Sequence, residues 1–211
     1  MPSNNRLLAG AVAAFGAAAL ASPAHAVLLS FDPPAATVYT GANFDLGIRV
    51  SGLHENQDEI VSGFDLDVLF DQAILNATGF TFGTALGAEA DVDYFAATDF
   101  NTAGLVDLFQ LSLLDNDFLA SWQGDSLLLG QLHLTATAVG ETALTFGTSP
   151  LFGRNLVGRD PFSSLPVDVG SARVVVDVPE PATLALFGAG LLSLLAQRRR
   201  SRRPPANTVS Q

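Results

Sequence analysis

Cysteine is absent from this chain of 211 residues, and so is lysine, since all 10 basic residues are arginines. Without thiols there are no disulfides, no thiolate metal sites and no cysteine nucleophile. Histidine occurs only 3 times, and tryptophan and methionine once each. Against the arginines stand 21 acids, for a net charge of −11. Such a chain is repelled by nucleic acid phosphates, so no nucleic acid partner is expected. Charged residues of both signs make up only 15% and apolar residues 48%, which excludes a disordered acidic tail. Glycine (19), proline (11) and phenylalanine (15) are plentiful, and together they favour strands and turns over long helices.

Both ends carry targeting chemistry. Residues 1–26 have the three parts of a signal peptide. Arg6 supplies the positive start, Leu7 to Leu20 is an uncharged apolar run, and Ala24-His25-Ala26 is a small-x-small cleavage signal after Pro23. Cleavage is expected after Ala26, with Ala24 and Ala26 as the residues read. An uncleaved anchor helix is the competing reading; the shortness of the apolar run weighs against it. At the other end, Val178-Pro179-Glu180-Pro181 precedes an apolar run from Ala182 to Ala196. Gln197 and a cluster of Arg198, Arg199, Arg200, Arg202 and Arg203 follow. The two prolines stop the preceding strand, and Pro181 suits a first helical turn. Fifteen residues of helix span about 22 Å against about 30 Å of bilayer hydrocarbon, so this is a short transmembrane helix. Flanking residues and local thinning absorb the mismatch. The arginines hold the C-terminus in the cytoplasm, with the body on the far side of the inner membrane. A plain tail anchor is the alternative.

Pro-Glu-Pro, a short apolar helix and an arginine run, in that order over residues 178–203, resemble the PEP-CTERM sorting signal of Gram-negative bacteria. The resemblance implies an exosortase-type membrane protease as partner, with Pro179, Glu180 and Pro181 as its recognition residues. It implies inner-membrane anchoring during sorting and then an extracellular or cell-surface location. Residues 204–211 extend past the usual end of such signals and are expected to be a disordered tail.

Between the signals lies a body of residues 27–177. Four arginines oppose twenty acids there, a net charge of −16. Its size suffices for one core that removes roughly 68–70% of the unfolded chain's surface from water. Period-two alternation dominates. Phe44, Leu46, Ile48 and Val50 face one way, as do Phe64, Leu66 and Val68, then Leu132 and Leu134, then Leu144 and Phe146. Leu105 to Leu113 is apolar on both faces except at Asp107, Gln110 and Ser112, and reads as a central strand. Asp117 to Trp122 reads as one helical turn capped by Asp117. Eight or nine strands with one solvated face each define an all-β, antiparallel β-sandwich.

The order of these pieces resembles a cohesin-type module. The matching stretches are Val38 to Phe44, Ser62 to Asp71, and Leu129 to Ala136 leading into Gly140-Glu141-Thr142. The resemblance covers about Leu28 to Phe146 and implies a nine-stranded jelly-roll sandwich related to carbohydrate-binding modules.

Catalytic chemistry is thin. His54 sits in a loop rich in glycine and acids, and His133 on the polar face of a strand; both read as solvated surface residues. No Gly-x-Ser-x-Gly occurs. His54-Glu55 begins like a zinc-protease helix, but position 58 is Asp58 rather than histidine. No catalytic residue and no metal site is assigned, and no cofactor is required. Calcium is the one ligand left open, through Asp91, Asp93, Asp115, Asp117 and the loop Glu55 to Glu59, although no segment matches a Ca²⁺-binding loop. Trp122 and Tyr94-Phe95 read as core aromatics, with sugar-stacking platforms as the alternative. Asn76-Ala77-Thr78 is spelled as a glycosylation sequon and reads as part of a turn.

The expected function is that of an exported, non-catalytic binding or structural component of an exopolysaccharide or biofilm matrix. Its partner would be extracellular polysaccharide or another matrix protein. The alternatives are a secreted polysaccharide hydrolase and a calcium-dependent protein-binding module. N-terminal sequencing of the exported protein should begin at Val27; retention of Arg6 would defeat the signal-peptide reading.

Overall fold

The computed structural model describes residues 26–53, 59–147, 154–160, 164–179 and 183–201. Among these residues there are twelve strands and two helices. In chain order they are β1 (Val27–Asp32), β2 (Ala35–Tyr39), β3 (Asn43–Ser51), β4 (Gly63–Leu69), β5 (Leu75–Phe82), β6 (Tyr94–Asp99), β7 (Leu105–Ser112), α1 (Asn116–Trp122), β8 (Ser126–Ala136), β9 (Gly140–Phe146), β10 (Arg154–Val157), β11 (Val167–Val169), β12 (Ala172–Asp177) and α2 (Thr183–Ser201).

The strands form two sheets. One runs β11-β1-β3-β8-β5; the other runs β2-β12-β9-β4-β7-β6. β10 lies beside β4 from Gly63 to Leu66, while β9 meets β4 at Val68 and Leu69. Pairing is antiparallel except for β1 with β11 and β2 with β12, which are parallel. The strand count exceeds the nine of the sequence reading partly because both terminal strands are split. Pro33 and Pro34 interrupt the first, since proline has no N–H for a ladder, and the chain passes from one sheet to the other there. Gly170 and Ser171 do the same between β11 and β12.

The alternating residues meet between the sheets. Leu46, Ile48 and Val50 of β3, Phe64, Leu66 and Val68 of β4, Leu132 and Leu134 of β8, and Leu144 and Phe146 of β9 are all buried. Phe44 packs half-buried at the rim. Phe31 of β1 stacks on Phe146 of β9 across the two layers, at 4.4 Å between ring centroids. Gln110 is fully buried, and neither amide atom has a hydrogen-bond partner among the described residues. Such a group costs about 1–3 kcal/mol, which the apolar packing around it offsets.

Two local expectations are corrected. β7 is not central: it lies between β4 and the edge strand β6, with Val106 and Leu108 inward and Phe109 and Leu111 each 37% exposed. α1 is capped by Asp115, two residues earlier than expected, because its carboxylate accepts from the Asp117 N–H at 2.8 Å.

The register predicts an asymmetry along β4 and β7. Leu66→Ala should cost about 2–5 kcal/mol in equilibrium denaturation. Phe109→Ala, on the outer face, should cost less than about 1 kcal/mol. Equal losses would mean that the faces are wrongly assigned.

Candidate functional site

The outer face of β10, β4, β7 and β6 carries an ordered pattern of charge. Asp67 of β4 lies directly opposite Asp107 of β7, and Asp107 directly opposite Asp99 of β6. One row along, Asp65, Phe109 and Ala97 are aligned; the next row holds Gly63, Leu111 and Phe95. Residues directly opposite share a face, so the exposed carboxylates of Asp107 and Asp99 stand in line with that of Asp67, which is buried, next to an apolar strip of Phe109, Leu111 and Phe95. Like charges in this relation repel. Partial burial pushes the Asp65 carboxyl above the usual aspartate range, and the charge of Asp107 adds to it. Burial likewise raises Asp107, with smaller contributions from Asp67 and Asp99. On β9 and β12 of the same sheet, Arg173 donates through Nε and Nη2 to both oxygens of Glu141.

The opposite sheet presents a polar row. His133 Nδ1 is 2.7 Å from Asp45 Oδ1, and Nε2 is 2.7 Å from Thr81 Oγ1. Carboxylate, imidazole and hydroxyl thus stand in the order that nucleophilic catalysis uses. They lie across β3, β8 and β5 on a sheet face, and the cavities described below do not include them. The expectation that His133 is merely solvated is corrected to a cross-strand ladder. His54 lies outside the described residues.

Four of the acids singled out for calcium have other partners, while Glu55 and Asp58 lie outside the described residues. Asp93 Oδ2 accepts from the backbone N–H groups of Ala88 and Glu89, Asp115 caps α1, and Asp117 lies 3.6 Å from Arg159. Glu59 Oε1 accepts from the N–H groups of Ile60 and Arg159. Among the described residues, no three carboxylate or imidazole side chains gather where a metal ion would be held. Asn76 and Thr78 belong to β5 rather than to a turn, and Thr78 Oγ1 donates to the His133 carbonyl.

Trp122 is not a core residue. It is 58% exposed and stacks on Phe118, 48% exposed, with 5.8 Å between ring centroids. Phe95 is exposed as well, while Tyr94 is half-buried beside Phe82. A groove of about 260 Å³ beside Trp122 is floored by Gln123, Leu127 and Leu128. A second, of about 280 Å³, lies at one end of the sandwich between residues 70–77 and 100–106.

At the termini, Ala26 is half-buried and Val27, the first residue of β1, is fully buried; Ala24 lies outside the described residues. β12 ends at Asp177, and Val178 and Pro179 are exposed. Glu180, Pro181, Arg202 and Arg203 lie outside the described residues. α2 starts at Thr183 and runs on through Arg198, Arg199 and Arg200 to Ser201, past the expected end at Ala196. It exposes Leu186, Phe187, Leu191, Leu192 and Leu194. No helix among the described residues is long and apolar enough to cross a membrane.

Comparison with solved structures defines the class of the body: it is a cohesin-like β-sandwich. The sixth cohesin of scaffoldin B from Acetivibrio cellulolyticus, solved with a Cel5 dockerin, superposes with a TM-score of 0.55 at 13% identity, over 72% of this chain and 100% of that one. A cohesin module of a family 33 glycoside hydrolase from Clostridium perfringens gives 0.52 at 15%, over 68% and 91%. The cohesin CaCohA2 of Clostridium acetobutylicum gives 0.52 at 17%, over 72% and 90%. Residues 177–200 match the PEP-CTERM protein-sorting motif, so the chain joins a cohesin-like sandwich to a PEP-CTERM signal. That motif implies export and exosortase-dependent sorting to the cell surface. No curated protein matches the sequence.

The acidic rows predict a pH dependence. A carboxyl whose pKa is raised by folding binds its proton more readily in the native state, so its contribution to stability grows as pH falls and is lost as pH rises through that raised value. Asp107→Asn should therefore stabilise the protein at pH 7. The gain should shrink as pH falls through the range just above the ordinary aspartate value. Thermal unfolding at several pH values reads this, and a gain independent of pH would contradict it.

Proposed function

We propose that the chain is an exported, exosortase-sorted surface protein whose sandwich is a non-catalytic binding module of the extracellular matrix. One observation carries the reading: the sorting motif begins at the last residue of the last strand of a cohesin-like sandwich. A signal peptide cut after Ala26 delivers the body outside the inner membrane. The apolar part of α2 anchors it there, shorter than the bilayer core but within what local thinning absorbs. Arg198 to Arg203 keep the C-terminus inside. Pro179, Glu180 and Pro181 lie between the sandwich and α2, where an exosortase-type membrane protease reads them.

The partner of the sandwich is another matrix protein, docked on the outer face of β4, β7 and β6. Charge complementarity argues for a cationic surface with an apolar centre. Basic side chains would pair with the exposed Asp65, Asp99 and Asp107, while Phe95, Phe109 and Leu111 lose water. Related sandwiches solved with dockerin modules support a protein-binding role. Matrix polysaccharide is a second ligand, considered below, and the setting is a biofilm or exopolysaccharide matrix. No catalytic role belongs to this reading, because the Asp45, His133 and Thr81 row is open to solvent and lies apart from the described cavities.

Replacing Pro179, Glu180 and Pro181 together by alanine should leave the sandwich folded and block processing. Cell fractionation and immunoblotting should then find the full-length form accumulating in the inner membrane. Release at the wild-type rate would replace exosortase sorting by a plain tail anchor or an unrelated protease.

A further inference from the structure

Trp122 is the only tryptophan of the chain, and the fold leaves it more than half exposed at the end of a seven-residue helix. Packing of the core does not require this position, since Leu119 is the buried anchor of α1. Phe118, one turn earlier, stacks on the indole with the ring planes 19° apart and holds it in place. Ligand sites are concave and lined by aromatic and apolar side chains with a few polar groups, and this corner combines those features.

The adjoining groove is lined by uncharged residues. Its floor is Gln123, whose Oε1 accepts from the Val61 N–H while Nε2 donates to the Val61 and Ala85 carbonyls. Leu127 is buried beneath it. Thr84, Ser126 and Gly124 supply hydroxyl and backbone groups at its walls. Ser126 Oγ accepts from Arg49 Nη1 at 3.4 Å, which leaves its own proton to donate outward. None of the lining residues carries a charge, in a body whose net charge is −16.

Size and charge select the occupant. Two half-exposed aromatics offer roughly 200 Å² of surface, far below the ~800 Å² per partner of a stable protein interface. The groove volume of about 260 Å³ suits one or two rings. The surrounding negative field disfavours an anionic ligand. We propose that Trp122 and this groove form a subsite for an uncharged sugar ring of a polysaccharide. The apolar face of the ring stacks on the indole, and its hydroxyls bond to Thr84, Ser126 and the backbone at Gly124. The site shares no residue with the acidic face of β4, β7 and β6. The inference deepens the matrix-binding reading by naming a second ligand and its place.

Affinity electrophoresis of the intact chain through gels containing β-glucan, xylan or mannan tests it, with polygalacturonate as the anionic control. At least one neutral polymer should retard the wild type and polygalacturonate should not. Trp122→Ala should weaken that retardation by about tenfold or more. Because Trp122 is the sole indole, a neutral oligosaccharide of the retarding polymer should also shift the intrinsic fluorescence in a saturable way, which needs no variant. Retardation by none of the neutral polymers would overturn the inference, as would equal retardation of Trp122→Ala. The readout is binding rather than sorting, so this inference and the sorting reading fail separately.

Discussion

Parallel ladders tie the first strands of the sandwich to its last, β1 to β11 in one sheet and β2 to β12 in the other. A parallel pair cannot be closed by a hairpin, so each ladder needs the whole intervening body in place. Both sheets are therefore completed only when residues near Asp177 have joined. Val27 shows the consequence at the front. It is fully buried, and its N–H donates to the Pro166 carbonyl at 3.0 Å. On the proposed reading, a protease that cuts after Ala26 needs that segment extended and open, so it would act on the translocating chain, before β1 is seated. At the back, only residues 178–182 separate β12 from α2. Fully extended, five residues span at most about 18 Å. On the proposed topology the folded sandwich stands close to the bilayer until the tail is cut.

This closure also separates stability from recognition. The core lies between the sheets, held by residues such as Leu66, Ile48 and Phe146, while the candidate ligand surfaces lie on outer faces and on α1. The row of Asp67, Asp107 and Asp99 brings like charges together on the sheet that carries it, and the buried apolar residues behind it supply the stability. Changes on the outer face can alter binding with little effect on the fold.

The core was legible in the sequence because one strand suffices to reveal its own alternation. The sorting signal at the C-terminus was legible because its chemistry is local and linear. The acidic rows were not, for a physical reason. Alternation places Asp65 and Asp67 outward, yet only the register of β4 against β7 and β6 sets Asp107 and Asp99 beside them. The same holds for Asp45, His133 and Thr81, which come from three strands distant in sequence. Trp122 was misread as core because aromatic residues bury large areas on average. What decided its place was the helix of α1, which turns Leu119 inward and leaves positions 118 and 122 outside. The split of the terminal strands at Pro33 and Pro34 was legible in principle, since adjacent prolines cannot continue a ladder.

The central claim is that a closed sandwich is delivered to the surface and parted from its anchor at the segment following β12. The intact mass of the protein recovered from the cell exterior tests this most directly. The account predicts a chain that ends near Pro179 to Pro181 and so lacks α2 and every arginine from Arg198 onward, with any excess mass reporting a covalent attachment. A surface form whose mass still includes residues 183–211 would contradict it.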